Sequence, residues 1–114
     1  TFTGIVREEG GISALSFDIY EPIVRKWLAG WEQKANDLGA YVLFAHSRGD
    51  VPVHESSYVA GVVSPQRKVA LRLINEFVED FKANAPIWKY DVINGERIYA
   101  KERSQAINGA GLLA

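Results

Sequence analysis

Cysteine and methionine are both absent from the 114 residues. Without cysteine there is no disulfide, no thiolate nucleophile and no Cys-based zinc site, so any sulfur chemistry must use sulfur brought by another molecule. Without methionine the chain lacks an initiator, so position 1 reads as an interior start with an N-terminal segment expected ahead of it. Long apolar runs are missing too. None approaches the ~18 residues of a membrane span, and "TFTGIVREEG" lacks the basic-then-apolar order of a signal peptide. A cytoplasmic protein without a membrane partner is the expectation. Neither sign of charge dominates: 13 Lys and Arg against 14 Asp and Glu leave a formal net charge of −1. That balance argues against a nucleic-acid surface while leaving room for a local basic pocket. There is no Gly-rich phosphate loop, no nucleophile elbow and no His-Glu-x-x-His. His46 and His54 have no third ligand at characteristic spacing, so no metal is expected.

What is present fits one domain over residues 1–114, with 47% apolar and 24% charged residues. No repeat, low-complexity tract or long linker divides it. "TFTGIVR" (1–7) and "ISALSFDIY" (12–20) are rich in β-branched and aromatic residues around "EEGG", which predicts a hairpin. From Pro22 to Leu38 the apolar positions Val24, Trp27, Leu28, Trp31, Ala35 and Leu38 keep helical spacing, with Gly39 as the stop. "AYVLFAH" (40–46) and "SSYVAGVV" (56–63) read as core strands joined by "SRGDVPVHE". Ser64 is the expected N-cap of a second helix with Pro65 at its first position, its apolar stripe running from Val69 to Phe81 and its end near Asn84. "IWKYDVI" and "ERIYAKE" flank "NG", a strong hairpin signal. The order ββα ββα ββ predicts an α+β domain, mainly antiparallel, with two main helices on one face.

The candidate chemistry lies in cations at element ends: Arg7, His46, Arg48, Arg67, Lys82, Lys89, Arg97 and Lys101. Arg67 falls in the first turn of the second helix, where a cation opposes the macrodipole unless an anion is shared. A phosphate site and a solvated arginine both fit that position. Lys82, at the other end of the same helix, complements the dipole, so a structural role is available to it as well. Alternation along the next strand puts Ile87 and Lys89 on one face and Trp88 and Tyr90 on the other. Partial desolvation there would lower a lysine pKa from about 10.4, while an edge lysine that blocks aggregation fits the same pattern.

Taken together, "TFTGIVR", "HSRGDVPVHES", "SPQRKVAL" and "FKANAPIWKYD" resemble the catalytic large subunit of molybdopterin synthase, in order and with similar spacing, over about Thr1 to Glu102. The resemblance implies an α/β hammerhead with an added antiparallel β subdomain, and a segment preceding "TFTG". It also implies sulfur transfer to cyclic pyranopterin monophosphate, the precursor of molybdopterin. The sulfur would come from the C-terminal Gly-Gly thiocarboxylate of a small ubiquitin-like carrier, and two large subunits would form the homodimeric core of a heterotetramer. No cofactor of its own is implied, and the absent cysteine is consistent with a partner that supplies the sulfur. The family's two functional lysines fall on Lys82 and Lys89, its early phosphate-binding arginine on Arg7, and a partner-contacting aromatic on Phe2. Its arginine at the start of the second helix falls on Arg67, but the preceding histidine is Gln66 here, which hydrogen-bonds and does not titrate. The His-Arg pair after the middle strand becomes His46, Ser47, Arg48, making Arg48 an approximate substrate-binding counterpart. A late basic residue corresponds to Lys101 or Arg103. A non-catalytic dimeric module for a phosphorylated ligand is the alternative reading.

Overall fold

The computed structural model describes residues 1–99; Lys101 and Arg103 lie outside the described residues. The elements run β1 (Phe2–Ile5), β2 (Ala14–Ile19), α1 (Glu21–Asp37), β3 (Tyr41–His46), β4 (Gly49–Pro52), β5 (Ser56–Val63), α2 (Arg67–Asn84), β6 (Ile87–Ile93) and β7 (Glu96–Tyr99). They build two antiparallel sheets, of order β1-β5-β3 and β4-β2-β6-β7. The α+β class and the two main helices are as expected, and the four-stranded sheet supplies the additional antiparallel layer.

Helix α1 forms where the sequence places it. Pro22 sits in the first turn, and the Leu38 and Gly39 N–H groups return to the carbonyls of Ala35 and Asn36, with Gly39 at φ 70°. Its stripe of Trp27, Leu28, Trp31 and Ala35 packs with Leu73, Phe77, Val42 and Ala60 in the main core. Both helices therefore cover the same face of the β1-β5-β3 sheet. A second polar feature fixes them to each other: the Asp80 carboxylate accepts the indole N–H groups of Trp27 and Trp31, each at 2.7 Å, and the Asn84 amide at the other oxygen.

Three local expectations need correction. The first two strands are not a hairpin, because β1 pairs with β5 and β2 pairs with β4 and β6. Gly10 and Gly11 do turn the chain, both at positive φ, but beyond β1 the Val6 N–H donates to the Glu55 carbonyl and the His54 N–H to the Val6 carbonyl. Those long-range bonds carry the chain from one sheet to the other. Second, α2 begins at Arg67 rather than around Pro65. Gln66 is extended, and the Ser64 hydroxyl accepts its N–H at 3.1 Å in a turn before the helix. Third, part of the segment joining β3 and β5 is itself a strand, β4, paired to β2 from Ala14↔Pro52 to Phe17↔Gly49. The β6–β7 hairpin forms as expected, its Asn94 and Gly95 both at positive φ.

Candidate functional site

A cavity of about 460 Å³ opens where the two sheets meet the end of α2. β1 and the residues after it contribute Gly4 to Arg7 and Glu9, β2 contributes Leu15 and Phe17, and β3 its last residue, His46. Ser57 and Tyr58 come from β5, Phe81 and Lys82 from α2, and Ile87 and Lys89 from β6.

The two lysines reach this space by different routes. α2 stops because Ala85 turns extended (φ −67°, ψ 135°) and Pro86 has no N–H with which to continue the helical ladder. Lys82 therefore stands in the last helical turn, its Nζ 5.8 Å from the centre of the Tyr58 ring. Two residues after the cap the chain is already a strand, and Lys89 lies directly across from Phe17 of β2. Strand alternation sends Ile87 and Lys89 into the cavity and leaves Trp88 buried on the opposite face. Arg7 lines the rim, its exposed guanidinium 3.0 Å from Glu9.

The other sequence candidates fall elsewhere. Gln66 and Arg67 are exposed at the start of α2, and 15 residues at 1.5 Å each put Arg67 roughly 22 Å from Lys82 along the helix. Arg48 is held by Glu21 at 2.9 Å and by the Ile19 carbonyl at 3.3 Å, tying the β3–β4 turn to the start of α1. Phe2 is exposed beside the cavity wall, its ring 6.0 Å from that of Tyr58. Arg97 is paired with Asp18 at 2.8 Å and stacked over Tyr90. Among the described residues no group of three or more His, Cys, Asp or Glu is placed to hold a metal, and no helix is long and apolar enough to cross a membrane.

Two residues that the motifs did not single out for this cavity stand in its wall. Tyr58 is 5% exposed and its hydroxyl has no hydrogen-bond partner among the described residues. Burial raises its pKa above the usual 10.0, so the O–H is held as a donor. Its ring lies so close to β1 that a Cβ on Gly4 would sit 2.6 Å from Cδ1 and closer still to Cε1, which explains glycine at that position. His46 stacks parallel to Tyr58, with ring centres 5.8 Å apart and planes 7° apart, and meets the edge of Phe17 at 4.7 Å. The available signal was the inward alternation Val42, Phe44, His46 along β3, where Val42 is buried and Phe44 and His46 are half-buried between exposed neighbours.

The comparisons agree with this architecture. The family model described as "MoaE protein" matches residues 1–84. The molybdopterin synthase catalytic subunit of Helicobacter pylori is 54% identical over 113 residues, covering 99% of this chain and 78% of that protein. A solved complex of subunits 1 and 2 of molybdopterin-converting factor from Helicobacter pylori superposes with a TM-score of 0.90, at 54% identity, over 99% of this chain and 77% of the matched one. Molybdopterin synthase from Staphylococcus aureus gives a TM-score of 0.75 at 30% identity, over 86% of this chain and 75% of that chain. With the family model matching residues 1–84 and a 54% identical relative covering 99% of the chain, the chain belongs to the MoaE protein family.

Proposed function

We propose that the chain is the catalytic subunit of a molybdopterin synthase, moving sulfur from the thiocarboxylated C-terminus of a small ubiquitin-like carrier to cyclic pyranopterin monophosphate. The observation that carries this reading is the convergence of Lys82, Lys89 and Arg7 on one cavity, although helix, strand and loop deliver them separately. A thiocarboxylate and a phosphate are both anions, and the site gathers positive charge against an apolar wall of Leu15, Phe17, Phe81 and Ile87. Arg7 is assigned the substrate phosphate, where its planar fork suits two oxygens. Lys82 and Lys89 are assigned the transfer centre, drawing in the thiocarboxylate and stabilising the negative charge that develops as its carbonyl is attacked.

Arg67 and Gln66, at the far end of α2, join such a site only where a second copy brings its own helix start to the cavity mouth. The homodimeric core of the proposed heterotetramer supplies that opportunity. The carrier delivers the sulfur and the pterin is substrate, so the reaction draws on no cofactor of its own; the proposal includes a cytoplasmic location. The carrier's extended tail would enter past Phe2. Incubating the protein with thiocarboxylated carrier and cyclic pyranopterin monophosphate should yield the dithiolene product. Tight binding of the pterin phosphate with no product, by a protein that still captures the carrier, would leave the non-catalytic module as the better reading.

A further inference from the structure

His46 is a cavity residue to which the sulfur-transfer reading gives no task. His46 closes β3 with its Nδ1 2.7 Å from the Ser47 carbonyl oxygen. A carbonyl only accepts hydrogen bonds, so Nδ1 carries the proton, and in the neutral ring the lone pair is on Nε2. The ring is fixed by Tyr58, Phe17 and Phe81, and no hydrogen bond is made to Nε2 among the described residues. Burial lowers the imidazole pKa below the usual 6.5; the Ser47 carbonyl opposes the shift and the charge of Lys82 adds to it. The other titratable or charged groups around the cavity are Lys89 from β6, Tyr58 from β5, and Arg7 and Glu9 after β1. The site thus contains a positioned imidazole in a cavity that Lys82, Lys89 and Arg7 also line.

Sulfur transfer from an acyl carrier calls for such a base. When the thiocarboxylate sulfur bonds to a substrate carbon, carrier and substrate are joined through an acyl thioester, and only cleavage of the acyl–sulfur bond leaves sulfur on the pterin. We propose that His46 is a further catalytic residue, its Nε2 accepting a proton from the water that cleaves this thioester. This rests on the sulfur-transfer reading above. The water oxygen bonds to the acyl carbon, the C–S bond breaks with its electron pair going to sulfur, and the carrier leaves as a carboxylic acid that gives up the second water proton to solvent and becomes a carboxylate. The proton taken by Nε2 passes to the new thiolate or to solvent, restoring the neutral ring. No oxidant or reductant is involved.

Single-turnover experiments on the complex with thiocarboxylated carrier and pterin substrate separate the two steps, with adduct and product followed by mass spectrometry. His46→Asn keeps an N–H for the Ser47 carbonyl without a base, and His46→Phe keeps the ring; the asparagine variant decides if the phenylalanine one folds poorly. The thioester should form at the wild-type rate and accumulate, with hydrolysis about 10²–10⁴-fold slower. In the wild type the hydrolytic rate should fall as pH drops through a pKa below 6.5, and the variants should lose that acid limb. Wild-type hydrolysis in the variants would overturn the proposal, and so would equal slowing of both steps with the acid limb retained. A wild-type protein that forms neither adduct nor product would instead overturn the sulfur-transfer reading itself.

Discussion

The helix interface and the cavity treat their polar groups in opposite ways. Between α1 and α2, Asp80 accepts three hydrogen bonds, from Trp27, Trp31 and Asn84, so a partly buried charge is fully engaged in holding two helices together. Burial alone would raise its pKa, but the Trp31, Asn84 and Trp27 donors outweigh it and hold the carboxyl below 3.8. In the cavity, the buried Tyr58 hydroxyl has no partner among the described residues, and among them His46 bonds through one nitrogen only. Buried polar groups are normally satisfied, and leaving one unpaired costs about 1–3 kcal/mol. Asp80 is satisfied within the fold, whereas the Tyr58 hydroxyl, whose ring lies 5.8 Å from the Lys82 amine, has no partner among the described residues, and neither does the buried Trp88 indole N–H on the other face of β6.

That contrast is open to direct attack. The largest effect is expected from the cavity amines: Lys82→Ala and Lys89→Ala should each lower sulfur transfer by about 10²–10⁴-fold, while carrier binding and melting temperature stay close to wild type. Near wild-type turnover in both would remove the transfer centre from this cavity. At the helix interface the expected pattern is reversed. Asp80→Ala should lower stability by about 1–3 kcal/mol in urea titration, because two indole N–H groups lose their acceptor. The pH dependence has a definite sign: the folded pKa of Asp80 is depressed, so its contribution is complete above the unfolded value near 3.8 and is lost as pH falls through the lower folded value. Asp80→Asn should therefore lose less stability than the wild type over that acid range.

Gly4→Ala tests the wall that joins the regions. Its methyl group meets the Tyr58 ring, so stability should fall by about 1–3 kcal/mol, with the Tyr58–His46 stack and sulfur transfer disturbed together. The smallest effect is expected at Arg48. Its ion pair with Glu21 is exposed on both sides, and Arg48→Ala should cost about 0.2–1 kcal/mol and leave turnover unchanged. A large loss of turnover would return Arg48 to the substrate site.

The parts legible in the sequence are those determined locally. The stripes of α1 and α2 follow from helical periodicity, and the "NG" turn fixes the last hairpin because only residues tolerant of positive φ fit it. The errors arise where distant pairing overrides local composition. "EEGG" has turn chemistry, yet Val6 bonds to the backbone of His54 and Glu55 instead of turning back onto β2. "GDVP" carries loop residues, yet its ladder partner β2 lies more than thirty positions earlier. Of the residues lining the cavity, Lys82, Lys89 and Arg7 were named through the family resemblance, since position alone also allowed structural roles for the lysines. His46 in its role as a wall residue, and Tyr58 altogether, were not, because their placement depends on packing between two strands and the end of a helix.

Asp80 and Lys82 are two positions apart on α2, a rotation of about 200° at 100° per residue. One side chain points to the indoles of α1 while the other points nearly the opposite way, into the cavity. The tryptophan–aspartate contact therefore sets the rotational phase of the helix. A slip by a single residue would swing the Lys82 amine by about a quarter turn, out of alignment with Lys89, which the sheet holds in place independently.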